Sequence, residues 1–352
     1  MTLDWPRWAV VAHKDDTGLG RMARDIRRVL RLGYHLVVPS ERLQDYPLNE
    51  PGDYWLRPDD PEDRLRDLLD GLQGIIVLER HHWHPALFPI AKSLGVKIVT
   101  VPMWEWFNGG DDPWRHCDLF VCPHEFSLKV VRRFGWSNSV CLSWPLDLAR
   151  FPARTPASSG RVFIHNAGLI DADDRKGTRE TIRAFSRVPH PNIRLLVRMQ
   201  KPVDLETDDS RIQVQIGNLG TPEELYVAGD CAIQPSKMEG LGFMVLEPVA
   251  SGLPTVTLDY PPMSEWVRQP SMRAEPKWFR RRAYGSRWYP HAHLRLPRIR
   301  SLGERIAWCA ENDLAPIARE NRTWAEETFA PDHLRRAWGE ILDLLLQGKS
   351  PV

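Results

Sequence analysis

Short apolar runs alternate with amphipathic segments along this chain, twice over, and that rhythm restricts it to a parallel α/β fold. Trp8–Ala12, His35–Pro39, Gly74–Leu78, Lys97–Val101, Leu119–Cys122 and Ser139–Ser143 are apolar stretches of strand length. Helical spacing lies between them: Met22, Ile26, Val29 and Leu30 share one face, as do Leu65, Leu68, Leu69 and Leu72. Strands that are apolar throughout must be covered on both sides, the condition of a parallel sheet between helices. The pattern breaks at Phe151–Arg161, where Pro152, Pro156, Ser158, Ser159 and Gly160 read as a linker. It restarts with strands at 161–168, 192–199, 211–217, 231–236 and 254–259, and with helices at 175–188, 222–229 and 242–252. Leu302–Leu346 has amphipathic helical spacing. The expected domains are 1–155 and 156–330, with a helix over 331–352. Ligands of doubly wound sheets bind beyond the carboxyl ends of the strands, so a cleft between the two halves is the expected site.

Composition agrees with this organisation. At 352 residues the chain is too long for one ordinary core. Hydrophobic residues at 42% and charged residues at 26% exclude wholesale disorder. No apolar run approaches the roughly 20 residues of a membrane span, and the start MTLDWPRWAVVAHKDD does not read as a secretory signal. Five cysteines (Cys117, Cys122, Cys141, Cys231 and Cys309) fit no zinc spacing; their odd number suits reduced, core-filling thiols in a cytoplasmic protein. Tryptophan is abundant, at 15 residues, and Arg outnumbers Lys by 38 to 9. A GC-rich genome would produce the same arginine bias, which therefore carries little functional weight.

The densest chemical signal is Pro235–Gly252, PSKMEGLGFMVLEPVASG. A strand ends at Pro235, a turn bearing Gly240 and Gly242 follows, and a helix begins near Gly242. Backbone N–H groups of Gly240, Leu241 and Gly242, added to a helix N-terminus, suit a diphosphate. Glu239 and Glu247, eight residues apart, can both face one cleft, where a carboxylate accepts two O–H bonds from a vicinal diol. Taken singly, Glu239 reads as a loop charge and Glu247 as a solvated helix residue; the whole pattern favours binding.

This segment resembles the E-x7-E signature of retaining GT-B glycosyltransferases of family 4. The matching residues are Pro235, Ser236, Glu239, Gly240, Gly242, Leu246, Glu247, Ala250, Gly252 and Pro254. Arg175-Lys176-Gly177 is similar to that family's R-K-G, Leu78–Val101 to a strand-helix-strand of its first domain, and Pro145–Pro152 to its segment before the linker. Glu320–Phe329 resembles the tail that crosses back onto the first domain. The resemblance implies two facing Rossmann-like domains, with the acceptor on the first and a UDP- or GDP-sugar on the second. It also implies that no metal is needed. Glu247 would hold the ribose and Glu239 a donor-sugar hydroxyl. Ser236, Gly240, Leu241 and Gly242 would line the donor. Lys176 and Arg175 would neutralise the leaving diphosphate, where fixed cations stabilise developing charge. Gly18 and Gly20 match the family's N-terminal glycine loop, where a missing Cβ lets backbone approach a ligand.

Two positions depart from the family. Leu169 follows Gly168 where an arginine is usual, so Arg175 is expected to supply that contact. Pro102-Met103-Trp104-Glu105 stands where a histidine is frequent, which makes Glu105 a candidate polar group or base; His81, His82 and His84 are weaker candidates. Asp171-Ala172-Asp173 has D-x-D form, yet acids just before a helix have a reason of their own to be there.

A formal charge of +1 argues against a partner recognised through bulk charge, but the distribution reopens the question. Arg268–Arg300 holds ten cations against Glu275, a net +9 that leaves −8 for the rest of the chain. Trp278, Phe279, Tyr284, Trp288 and Tyr289 are interleaved with them. Cations along a phosphate backbone and aromatic faces under bases are the requirements of a nucleic-acid groove, and stacking lowers the cost of flipping a base. Arg268, Arg273, Lys277, Trp278, Arg280, Arg281, Arg282, Arg287 and Trp288 are the candidate contacts. Asp15–Met22 (DDTGLGRM) and Val101–Trp106 (VPMWEW) also resemble bacteriophage glycosyltransferases, some of which glucosylate hydroxymethylated pyrimidines in DNA. The expected acceptor is 5-hydroxymethylcytosine in double-stranded phage DNA, modified in the host cytoplasm. An anionic envelope lipid or polysaccharide is the alternative acceptor. A non-catalytic module binding nucleic acid or nucleotide sugar is the alternative of another class.

Overall fold

A computed structural model describes residues 4–40, 47–157, 161–282 and 293–351. The chain divides into two compact units, residues 1–147 with 328–352, and residues 148–327. The division falls at Asp147/Leu148, just before the proline- and serine-rich stretch.

Unit 1 contains β1 (Trp5–Ala12), α1 (Gly18–Leu30), β2 (Leu32–Val37), β3 (Asp53–Trp55), α2 (Glu62–Leu69), β4 (Gly74–Glu79), α3 (Leu87–Ser93), β5 (Lys97–Pro102), β6 (Leu119–Cys122), α4 (Glu125–Arg133) and β7 (Ser139–Cys141). Its sheet runs β3-β2-β1-β4-β5-β6-β7, parallel throughout, and the order reverses between β1 and β4. Ala9–Ala12, Ile75–Leu78 and Ile98–Val99 are fully buried, as continuous apolar strands require. β3 escapes the sequence pattern because Asp-Tyr-Trp is a half-exposed edge strand with no apolar run.

Unit 2 repeats the plan with β8 (Val162–Gly168), α5 (Thr178–Phe185), β9 (Arg194–Met199), β10 (Ile212–Ile216), β11 (Cys231–Gln234), α6 (Phe243–Ala250), β12 (Thr255–Leu258), α7 (Met263–Trp266) and β13 (Arg273–Ala274). The sheet order is β10-β9-β8-β11-β12-β13, again parallel, with its reversal between β8 and β11. The stretch expected as a helix at 222–229 is instead a 3₁₀ turn over Pro222–Tyr226. An antiparallel pair, β14 (Pro276–Arg282) with β15 (His293–Pro297), leads into α8 (Ile299–Glu311) and α9 (Ala315–Thr328). The last helix, α10 (Pro331–Leu346), packs against α1, and Arg335 Nε donates to the Val29 carbonyl at 2.9 Å. That bond serves one of the carbonyls that the end of α1 leaves without a helical partner. Among the described residues no helix is long and apolar enough to cross a membrane.

Tryptophan builds the core of unit 1. Trp5, Trp8, Trp83, Trp104, Trp114, Trp144 and Trp338 are all buried there. Trp144 and Trp338 meet edge to face at 6.3 Å and 88°, and Trp338 Nε1 donates to the Ser143 carbonyl at 3.3 Å. Trp5 and Trp8 meet in the same way at 6.4 Å. Edge-to-face packing is what the ring quadrupole favours. Most of the tryptophan excess therefore fills space. Cys117, Cys122, Cys231 and Cys309 are buried as well.

Because Trp338 joins α10 to the strand end at Ser143, Trp338→Ala should cost about 3–5 kcal/mol. Urea denaturation followed by near-ultraviolet circular dichroism measures this. An unchanged midpoint would show that α10 contributes little to unit 1.

Candidate functional site

The two strands flanking the reversal of the unit 2 sheet are β8 and β11, and the loops leaving their carboxyl ends are 169–177 and 235–242. This is the switch point at which doubly wound sheets bind ligands. Main chain holds the loops together: Lys237 N–H donates to the Arg175 carbonyl at 2.8 Å. Gly177 has φ +73°, and a Cβ there would stand 2.8 Å from the Pro235 carbonyl oxygen, so both its backbone and its neighbour require glycine.

The acids of the first loop are engaged in folding it. Asp174 accepts from the Thr178 and Arg179 amides, both at 2.9 Å, and so caps the first turn of α5. Asp171 accepts from the Asp173 amide at 3.1 Å and the Arg175 amide at 3.3 Å. His165 is wholly buried beneath the loop, and burial pushes its pKa down. Its neutral ring donates from Nδ1 to the Ile233 carbonyl (2.7 Å), which leaves Nε2 to accept from the Thr178 hydroxyl (2.9 Å). Among the described residues no group of three or more His, Cys, Asp or Glu is arranged to hold a metal ion.

Lys176 and Glu239 come together across the loops. Lys176 Nζ lies 2.5 Å from Glu239 Oε1, with 18% and 7% of the two side chains exposed. Burial opposes ionisation of Glu239, but the charges of Lys176 and Arg175 outweigh it and hold the carboxyl below its usual range. Glu247, on α6, has no exposed surface and accepts from the Tyr226 hydroxyl at 2.6 Å. Arg198 Nη1 fixes the Tyr226 turn by donating to the carbonyls of Leu225 (2.6 Å) and Glu224 (3.2 Å). Ser236, Gly240, Leu241 and Gly242 are buried along the intervening turn, and Trp266 Nε1 ties it down at the Leu241 carbonyl, 2.7 Å away.

The other candidates lie elsewhere. Gly18, Gly20 and Glu105 belong to unit 1. A Cβ on Gly20 would come within 2.3 Å of the Asp15 carbonyl oxygen, so that glycine is required by its own loop. Glu105 is 4% exposed, between Trp104 and Trp106. His81 pairs with Asp111 at 2.9 Å, and His84 bonds the Asp60 carbonyl at 2.8 Å, both structural uses. Leu169, in place of the usual arginine, is 57% exposed.

Folding narrows the basic stretch. Arg268 pairs with Glu320 (3.2 Å), Arg273 with Asp259 (3.3 Å), Arg298 with Glu275 (2.8 Å) and Arg300 with Glu304 (2.9 Å). Arg273 also donates to the carbonyls of Val267 and Arg268, at 2.8 and 2.6 Å. Counting along the sequence treated these cations as free, but each is paired with an acid, of which Glu320, Asp259 and Glu304 come from outside the stretch. The exposed aromatic surface sits on β14, where Trp278 is 86% and Phe279 40% exposed. Lys277 Nζ lies 5.6 Å from the Phe279 ring centre. Arg280, Arg281 and Arg282 complete β14, while Arg287 and Trp288 lie outside the described residues. The base of the hairpin is anchored by buried Leu294, and Arg295 N–H donates to the Lys237 carbonyl at 2.9 Å. The Arg295 guanidinium covers the Tyr260 ring at 4.8 Å.

Comparison with known proteins finds similarity in one segment of the sequence and in the fold. Residues 170–271 match the family described as Glycosyl transferases group 1, a segment holding both loops and both glutamates. No curated protein sequence gives a significant match. Among solved structures, a glycosyltransferase from Rickettsia africae has TM-score 0.69 and 12% identity, over 97% of this chain and 99% of its own. HepE from Anabaena, solved with UDP and glucose, has TM-score 0.70 and 13% identity, over 96% and 99%. Sucrose-phosphate synthase from Thermosynechococcus elongatus has TM-score 0.66 and 12% identity, over 97% and 99%. At such identities the likeness is one of fold, and the fold is the expected GT-B pair of Rossmann-like parallel sheets.

Sequence reading did not single out Tyr226, Arg198 or Lys237. Lys237 carried one signal, a lone charge in the otherwise uncharged run Cys231–Met238. Tyr226 carried none.

The lowered pKa of Glu239 sets a pH dependence. Its pairing with Lys176 stabilises unit 2 fully above the ordinary carboxylate range, and the contribution disappears as pH falls through the lowered folded-state value. The difference in urea midpoint between the wild type and Glu239→Gln should therefore be largest near neutral pH and shrink in acid. A pH-independent difference would contradict the pairing.

Proposed function

We propose that this chain is a retaining, metal-independent glycosyltransferase that moves a sugar from a UDP- or GDP-sugar to the hydroxyl of a 5-hydroxymethylpyrimidine in DNA. The Lys176–Glu239 pair, set at the switch point of unit 2 inside the segment that matches glycosyltransferases of group 1, carries the reading.

In this reading the diphosphate lies along the turn Ser236–Gly242 and the start of α6, where backbone N–H groups favour an anion. Glu239 accepts from a donor-sugar hydroxyl, and Glu247 holds the ribose, sharing its carboxylate with Tyr226. Lys176 and Arg175 meet the charge that develops as the glycosyl–phosphate bond breaks, a task a divalent ion would otherwise perform. The new bond forms on the face from which the phosphate leaves, and the acceptor proton passes to a phosphate oxygen. Gly18 and Gly20 let backbone approach the nucleotide sugar or the acceptor, and Glu105 is a polar group or base. Support for a DNA acceptor comes from the composition of β14, whose sequence contains Lys277, the exposed Trp278 and three consecutive arginines.

Labelled UDP- and GDP-sugars should transfer label to hydroxymethylcytosine DNA and not to unmodified DNA. Transfer to an envelope lipid extract instead would replace the DNA acceptor with a lipid. Glu239→Ala should lower donor turnover about a hundredfold or more, and equal turnover would remove the enzymatic reading. Replacing Arg280, Arg281 and Arg282 by alanine should weaken DNA binding and reduce the slope of log affinity against log salt by about 2–3. Unchanged affinity would give the hairpin another role.

A further inference from the structure

Lys237 is an unusual residue for its position. Its side chain is 4% exposed, in the turn that follows β11, and it does not point toward Glu239's partner Lys176 but beneath the neighbouring loop. There Nζ lies 3.0 Å from Glu180 Oε1, 3.8 Å from Asp174 Oδ2 and 3.1 Å from the Asp173 carbonyl, to which it donates. Asp174 and Glu180 belong to the cap and first turn of α5, so one ammonium group ties the whole 173–180 segment to the 235–242 turn. Its main chain acts in parallel. The N–H holds the Arg175 carbonyl, and the C=O accepts from Arg295 of β15.

Burying a lysine is costly unless its charge is paired and hydrogen-bonded, and removing one partner of such a pair leaves the other charge uncompensated. Here the ammonium group fixes Asp173, Asp174 and Glu180, which stand two to four residues from Lys176, and it does so from a position two residues before Glu239. A small displacement of either loop would part the Lys176–Glu239 pair, which is held at 2.5 Å. Lys237 itself is turned away from that pair, and its reach is filled by the loop it supports.

We propose that Lys237 is a positioning residue of the nucleotide-sugar site, one that holds the Asp173–Gly177 loop so that Lys176 and Arg175 face the diphosphate and Glu239. The inference rests on the donor reading given above, and it concerns placement of cations rather than contact with substrate. The carbonyl bond to Arg295 places the basic hairpin on the same anchor. The donor loop and hairpin are thus referenced to a single residue.

The test compares wild type with Lys237→Arg and with a Lys237→Met/Glu180→Met double variant, which removes the closer ion pair as a unit and leaves Asp174 held by the Thr178 and Arg179 amides. UDP and UMP are the probes, measured by calorimetry. A charge-assisted phosphate bond corresponds to about ten- to a hundredfold in affinity, so the double variant should bind UDP weaker by that factor while UMP affinity stays unchanged. Lys237→Arg should recover most of the UDP affinity. Unchanged UDP binding, or equal losses for UDP and UMP with a lowered melting temperature, would overturn the proposal and leave Lys237 a stabilising ion pair only. A second measurement needs no nucleotide: the Glu239 carboxyl, assigned by its loss in Glu239→Gln, is titrated by 13C nuclear magnetic resonance. Lys176, Arg175 and Ser236 are the groups that bear on it. Its titration should move to higher pH in the double variant, because Lys176 no longer stands opposite, and an identical titration in both proteins would overturn the proposal. If wild type binds neither UDP nor GDP, the donor reading falls, and the carboxyl titration alone decides the placement.

Discussion

The candidate site depends on one short contact of main chain with main chain, where Pro235–Lys237 lies against Arg175–Gly177. Two strands of a parallel sheet deliver these segments to the same edge, but delivery alone does not bring them into register. The bond from Lys237 N–H to the Arg175 carbonyl and the bare Cα of Gly177 under Pro235 do so. The charged groups around the two loops hang from this contact, while Glu247 on α6 is held separately by Tyr226. Lys176 and Glu239 flank the contact, Asp174 and Lys237 brace it from below, and His165 ties the base of α5 to β11. Side chains tolerate small shifts by rotating, whereas a displaced backbone moves all of them together.

Much of the fold was legible because parallel sheets leave a plain trace. Fully buried strands read as unbroken apolar runs, and both sheets were visible on that ground. The edges were not. β3, β13 and the β14–β15 pair are short, polar or half-exposed, and nothing in their periodicity distinguishes them from loops. The turn over Pro222–Tyr226 carried helical spacing but closes as 3₁₀. In the site, Glu239, Glu247 and the turn glycines were legible from their local pattern. Tyr226 was not, since its bond to Glu247 spans 21 residues and depends on how Arg198 holds an intervening turn.

Charge shows the same division between local and distant information. A window of sequence sums the cations it contains and is blind to acids that folding brings alongside. Glu320 and Asp259, from outside the basic stretch, meet Arg268 and Arg273, while Glu275 and Glu304 meet Arg298 and Arg300. Among the described residues, what survives as a candidate polyanion surface is the strand β14, a smaller object than the 33-residue segment that contains it.

The uneven placement of tryptophan has an optical consequence. Ten of the fifteen indoles lie in unit 1, seven of them buried, so the bulk of the intrinsic fluorescence reports on that half of the chain. Trp278 is the opposite kind of chromophore, an indole with 86% of its surface in water, whose emission falls at the red edge of the spectrum. Among the described indoles it is the most exposed, so quenching by a solute that reaches exposed rings weights the signal toward this strand. The protein thus carries a built-in reporter at the surface where its acceptor is proposed to dock, separate from the signal that follows its unfolding.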